Sequence, residues 1–137
     1  MRILFVDDDE NLLKGIFRRL RSRFSIEMAL SGEEALEKVA REGPYAVVVS
    51  DYKMGGMHGL DFLAQVRAHS PDTVRIMLSG QCDPGAAKDA LTSKLIFRYL
   101  AKPCDCERIA TCLDEALEVN EWLTHFAANV PGQLPAN

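Results

Sequence analysis

Apolar positions along the chain alternate between two periods. The run RILFV (2–6) is a short apolar block of strand formers, and Leu12, Leu13, Ile16, Phe17 and Leu20 then recur at helical spacing. FSIEMAL (24–30) alternates apolar and polar, as a half-buried strand does. Ser31 followed by Glu34 reads as a capping box, and Ala35, Leu36, Val39 and Ala40 form the next helical stripe until Gly43-Pro44 stops it. YAVVVS (45–50) is nearly all apolar, which suits a central parallel strand covered on both faces. A glycine-rich loop follows, Gly55-Gly56-Met57-His58-Gly59, before a third helix marked by Leu60, Leu63 and Val66 and closed by Pro71. TVRIMLS (73–79) reads as a fourth strand. Residues 84–93, with Ala87, Ala90 and Leu91, read as a weaker fourth helix, and LIFRYL (95–100) as a fifth strand. From Asp105 the stripe Ile109, Cys112, Leu113, Ala116 and Leu117 predicts a last helix to about Leu123.

Five strand–helix units with short connections imply an α/β fold, a parallel sheet with helices on both faces. The length of 137 residues fits one domain, placed at 1–123, with 124–137 a frayed tail or the start of a linker. The stretch NVPGQLPAN (129–137) has little apolar content and two prolines, which supports that division.

Composition narrows the function classes. The 47% apolar and 26% charged fractions are ordinary for a globular chain. A net charge of −4 gives no electrostatic help to binding a nucleic-acid backbone, and the one basic run, RRLRSR (18–23), is explained as a solvated helix face. No apolar run approaches the roughly 18 residues of a membrane helix, and MRILFV lacks a signal-peptide pattern, so a cytosolic location is expected. Cys82, Cys104, Cys106 and Cys112 are expected to be free thiols, since Cys104-x-Cys106 is too tight for the usual zinc spacing.

The chemistry lies at the strand ends, because ligands of open α/β sheets bind outside the carboxyl ends of the strands. The first strand ends in Asp7-Asp8-Asp9 followed by Glu10, the third in Asp51, the fourth in Ser79-Gly80, and Lys102-Pro103 follows the fifth. Carboxylates crowded at one rim destabilise each other unless a cation sits among them. Hard divalent cations take oxygen ligands, so the cluster is a candidate Mg²⁺ site. Asp9 and Glu10 are expected to belong partly to the following helix, as cap and dipole partner.

The pieces ILFVDDDENLL, VVVSDYKMGGMHGLDFL, RIMLSG and FRYLAKP resemble, in order and spacing, the receiver domain of two-component response regulators over about residues 2–123. The resemblance implies a (βα)5 flavodoxin-like (CheY-like), doubly wound sheet in the order 2-1-3-4-5. It implies that Asp51 is the phosphoacceptor. Asp7 and Asp8 would hold Mg²⁺ together with Asp51 and the backbone carbonyl of Lys53. Lys102 would contact the phosphoryl group, with a cis Lys102-Pro103 bond. Ser79 would be the switch hydroxyl and Tyr99 the switch aromatic, rotating in from the surface. Lys53 and Gln81 would flank the path of hydrolytic water and set phosphoryl lifetime. The implied partners are a sensor histidine kinase or phosphotransfer protein, and an output domain or partner protein at the face made by the fourth helix, fifth strand and fifth helix.

The sequence departs from the receiver pattern where Gly55 stands in place of the common proline, which is expected to loosen the loop, and where Ser79 replaces the commoner threonine. RIMLSGQCD and IFRYLAKP also resemble receivers joined to HD-type phosphodiesterase output domains. Three readings of the long last helix with Trp122 stay open: a linker helix, pairing in a homodimer, or an ordinary covering helix. Two other functions compete with the switch. One is a haloacid-dehalogenase-like phosphohydrolase using Asp7 and Asp9. The other is a docking module that works without phosphorylation.

Overall fold

The structure, a computed structural model, describes residues 1–126. The elements run β1 (Arg2–Val6), α1 (Glu10–Leu20), β2 (Ser25–Ala29), α2 (Gly32–Glu42), β3 (Val47–Ser50), α3 (Gly59–His69), β4 (Val74–Ser79), α4 (Pro84–Thr92), β5 (Arg98–Ala101) and α5 (Cys106–Glu121). A π-type turn, Trp122–Phe126, continues α5. The strands form one sheet in the order β2-β1-β3-β4-β5, and every pair is parallel.

Alternate residues of each central strand serve opposite faces, as the period of two requires. Ile3, Phe5, Val47, Val49, Ile76 and Leu78 pack with Leu13, Ile16 and Leu20 of α1 and Ile109, Leu113 and Ala116 of α5. Leu4, Val6, Val48 and Met77 pack on the other side with Ala35 and Val39 of α2, Phe62, Leu63 and Val66 of α3 and Ala90 of α4. Both faces of β1, β3 and β4 are therefore buried, which is why these strands read as nearly unbroken apolar runs.

Local sequence sets the helix starts. Asp9, Ser31, Asp83 and Asp105 each accept a backbone N–H with their side chains, from Leu12, Glu34, Ala86 and Arg108. The expected capping box is shifted by one residue, since Glu34 accepts from the N–H of Leu30 rather than that of Ser31.

Several boundaries differ from those the sequence predicts. The fifth strand begins at Arg98, not Leu95. Lys94 adopts a left-handed φ of 63° and the Ile96 N–H turns back to the Ala90 carbonyl, so residues 94–96 finish α4 before pairing starts. The third strand begins at Val47, two residues late, although Ala46 already exchanges backbone hydrogen bonds with Arg2 and Val74. Leu91 is 41% exposed, because Ala87 and Ala90 form the seam of α4 and Leu91 falls beyond it. Helical backbone runs past the expected end at Leu123 to Phe126. The stretch NVPGQLPAN lies outside the described residues.

The Arg75 guanidinium ties two loops at the far end of the sheet. It donates to the carbonyls of Pro71 and Thr73 before β4 and of Lys94 and Leu95 after α4. Burial, helped by the charge of Arg67, pulls its pKa down to about 10. Among the described residues no helix is long and apolar enough to cross a membrane.

Candidate functional site

The sheet order decides what meets at its carboxyl edge. β1 lies beside β3, so the residues that follow them are neighbours. The Asp7 N–H donates to the Ala29 carbonyl and the Asp51 N–H to the Val6 carbonyl, each one residue past its strand. One carboxylate oxygen each from Asp7, Asp8 and Asp51 come together within 4.8 Å of one another. Lys102, just beyond β5, reaches back over β4. Its Nζ stands 2.7 Å from Asp7 Oδ2 and 3.4 Å from Asp51 Oδ2. The Lys102-Pro103 bond is cis, as the resemblance implies; Gly43-Pro44 is cis as well.

Each acid is held differently. Asp7 is buried, at 4% exposure, and its Oδ1 accepts the Asp9 N–H at 2.9 Å. Asp51 is half-buried and its Oδ1 accepts the N–H of Tyr52 at 2.7 Å. Asp8 is exposed and its Oδ2 accepts the N–H of Gly55 at 3.3 Å. A cleft of about 350 Å³ opens above these groups, and Lys53, Gly80 and Gln81 line it.

Burial pushes the Asp7 carboxyl above its ordinary range. The Lys102 hydrogen bond and the Asp9 amide pull it down without prevailing, and the Asp51 charge adds to the rise. Burial also works to lower Lys102, but the hydrogen bond to Asp7 and the charges of Asp7 and Asp51 outweigh it, and its pKa rises. Lys102 therefore serves two carboxylates while Asp8 makes no ion pair among the described residues, and the acids lining the cleft outnumber its two lysines, Lys53 and Lys102, which leaves a deficit of positive charge. The donors are oxygens throughout. That set fits a hard divalent cation such as Mg²⁺.

Other expected residues fall in place with differences. Ser79 is fully buried at the end of β4, and its Oγ accepts the Gln81 N–H at 3.2 Å. Tyr99 is half-buried, and its hydroxyl donates to the Ser79 backbone carbonyl at 2.9 Å. Burial, with the nearby Cys82 and Asp51, raises its phenol pKa. Asp9 spends its carboxylate on the α1 cap, and Glu10 pairs with Lys14 at 3.6 Å on α1 instead of joining the acids. The four cysteines are free, and burial raises the thiols of Cys82, Cys104 and Cys112, the last to about 11. Two contributors escape the sequence. At Gly55 the sequence suggests only looseness, yet the Gly55 amide is bonded to Asp8. Gly59 packs so tightly on the Asp51 carbonyl that a β-carbon there would overlap it. The glycine-rich spelling of the loop is the one local signal for either.

Comparison with known proteins fits this geometry. A family described as "Response regulator receiver domain" matches residues 3–114. The transcriptional regulatory protein YesN of Bacillus subtilis is 34% identical over 120 residues, covering 85% of this chain and 32% of that protein. The chain spans about a third or less of the curated relatives it matches first. Among solved structures, the signal receiver domain of an HD domain-containing protein from Pseudomonas fluorescens is 30% identical, with a TM-score of 0.81 over 88% of this chain and 96% of that one. The response regulator TrrA of Thermotoga maritima, solved in complex with Mg²⁺-BeF, is 28% identical, with a TM-score of 0.73 over 85% and 98%.

Proposed function

From the premise that this chain belongs to the response regulator receiver domain family of two-component signalling, we propose that it is a switch whose Asp51 accepts a phosphoryl group from a histidine kinase or phosphotransfer protein in the cytosol. The observation that carries this reading is the meeting of Asp7, Asp8 and Asp51 within 4.8 Å, with Lys102 bridging Asp7 and Asp51.

Asp51 is the nucleophile. Its carboxylate forms a bond to phosphorus as the donor's phosphorus–nitrogen bond breaks, and the released imidazole takes up a proton. The transition state is loose, with negative charge spread over the equatorial oxygens, so catalysis is mostly positioning and positive charge. Lys102, already 3.4 Å from Asp51, neutralises part of that charge. Asp7, Asp8, Asp51 and the Lys53 carbonyl would hold Mg²⁺, which when bound supplies the remaining positive charge on the phosphoryl oxygens. Lys53 and Gln81 line the cleft where water must approach, and set how long the acyl phosphate lasts.

The signal leaves through Ser79 and Tyr99. New phosphoryl oxygens attract the Ser79 hydroxyl, which breaks its bond with the Gln81 amide and moves the turn into α4. Because Tyr99 is bonded to the same residue's carbonyl, its ring follows. The face of α4, β5 and α5 then presents a different surface to an output domain or partner protein. Failure of α4 and β5 resonances to shift on phosphorylation would refute this route.

The test of the acceptor is incubation with Mg²⁺ and a small phosphodonor, followed by intact-mass measurement. One added phosphate on wild type and none on Asp51→Asn is the expected result. Label on Asp7, or none on wild type, overturns the reading.

A further inference from the structure

The three carboxylates of the cluster differ in what holds them. Asp7 and Asp51 both face the Lys102 ammonium. Asp8 is exposed, and its side chain receives instead the backbone N–H of Gly55, across 47 residues of sequence.

Resting on the proposed cation site, we infer that the Gly55 amide is a positioning group for that site. It keeps the Asp8 carboxylate in the cleft and thereby raises affinity for a divalent cation. Three carboxylates within 4.8 Å repel one another, and an exposed aspartate without a donor turns its charge to water. Ordering it again at the moment of cation binding costs side-chain entropy. A single N–H on one lone pair of Oδ2 removes that freedom and leaves Oδ1 and a second lone pair open for ligation. The amide is offered by a fixed backbone. Met54 before it is buried, Gly56 after it takes a left-handed φ of 106°, and Met57 packs against Gly32. At the loop's end the Gly59 N–H donates to the Tyr52 carbonyl at 2.8 Å. The donor is therefore in place before the cation arrives, which is the condition for preorganisation to raise affinity.

Position 55 provides matched variants. A β-carbon there meets nothing within 4 Å and the Gly55 φ is not positive, so Gly55→Ala keeps the N–H without a clash. Gly55→Pro deletes it. Wild type and both variants are titrated with MgCl₂ by isothermal calorimetry, with thermal unfolding in EDTA to establish that each is folded. Gly55→Ala is expected to bind like wild type, and Gly55→Pro about two- to fivefold more weakly. Equal affinity in the two variants, or tighter binding by Gly55→Pro, overturns the inference while leaving the cation site standing. No Mg²⁺ binding by wild type overturns both. Should Gly55→Pro fail to fold, the Gly55 amide proton of the wild type in EDTA decides. Its NMR shift must move on Asp8→Ala and stay in place on Glu10→Ala, and an unmoved shift refutes the bond.

Discussion

Gly59 lies against the backbone carbonyl of Asp51 with no room for a β-carbon between them. The glycine that opens α3 thus fixes the peptide of the residue proposed to carry the phosphoryl group, eight positions earlier in the chain. Gly59→Ala must push that carbonyl or lift the start of α3. The expected cost is about 1–3 kcal/mol, as for overpacking elsewhere, together with slower phosphorylation of Asp51. Urea unfolding and the rate of mass gain check both, and a variant of wild-type stability and rate would show that the contact is soft.

Lys102 holds two carboxylates, one of them buried. Lys102→Met leaves Asp7 without its ammonium, so stability measured in EDTA should fall by about 1–3 kcal/mol. Mg²⁺ should recover part of the deficit, since a cation then supplies the missing charge. Equal losses with and without Mg²⁺ would separate the lysine from the cation site.

The Tyr99 hydroxyl is bonded to the Ser79 carbonyl. Tyr99→Phe deletes that one bond and keeps the ring. The expected loss is about 0.5–1.5 kcal/mol, with an unchanged denaturant slope. Amide shifts in β4 and in the turn into α4 should move before any phosphorylation, and their absence would uncouple Tyr99 from Ser79.

Tyr45 and Glu27 give the protein a pH signature away from the site. Burial, then the hydrogen bond to Glu27, raises the Tyr45 phenol to about 12. A folded pKa above the ordinary 10 means stability that is complete below pH 10 and lost as pH climbs through 10 towards 12. Glu27 is half-buried, which works to raise its pKa, but hydrogen bonds from Tyr45 and Arg2 prevail and lower it. Its contribution is present above about pH 4.5 and is lost as pH falls through the depressed folded value. Denaturant midpoints against pH should therefore fall at both ends. In Tyr45→Phe the loss between pH 10 and 12 should be smaller, and an unchanged alkaline limb would count against the assignment.

Arg75→Met should destabilise by about 2–4 kcal/mol, because the carbonyls of Pro71, Thr73, Lys94 and Leu95 lose a charged donor. A change confined to stability, with Mg²⁺ affinity untouched, is the expected pattern at the end of the sheet away from the acids.

The sequence by itself determined the order of the elements, the caps that start α1 and α2, the parallel sheet, and the presence of acids, a hydroxyl and a lysine at strand ends. These are local properties. Period two or 3.6 is written in neighbouring residues, and a strand's last residue is known once the strand is. The tertiary structure decided which of those groups touch. Whether Lys102 reaches Asp7, Tyr99 lies inward on Ser79 or Gly55 holds Asp8 depends on distances between segments remote in the chain, and whether Gly59 meets Asp51 depends on the path of the loop between them. Those distances are set by strand order, by loop paths and by close packing, none of which is written at the positions that feel them.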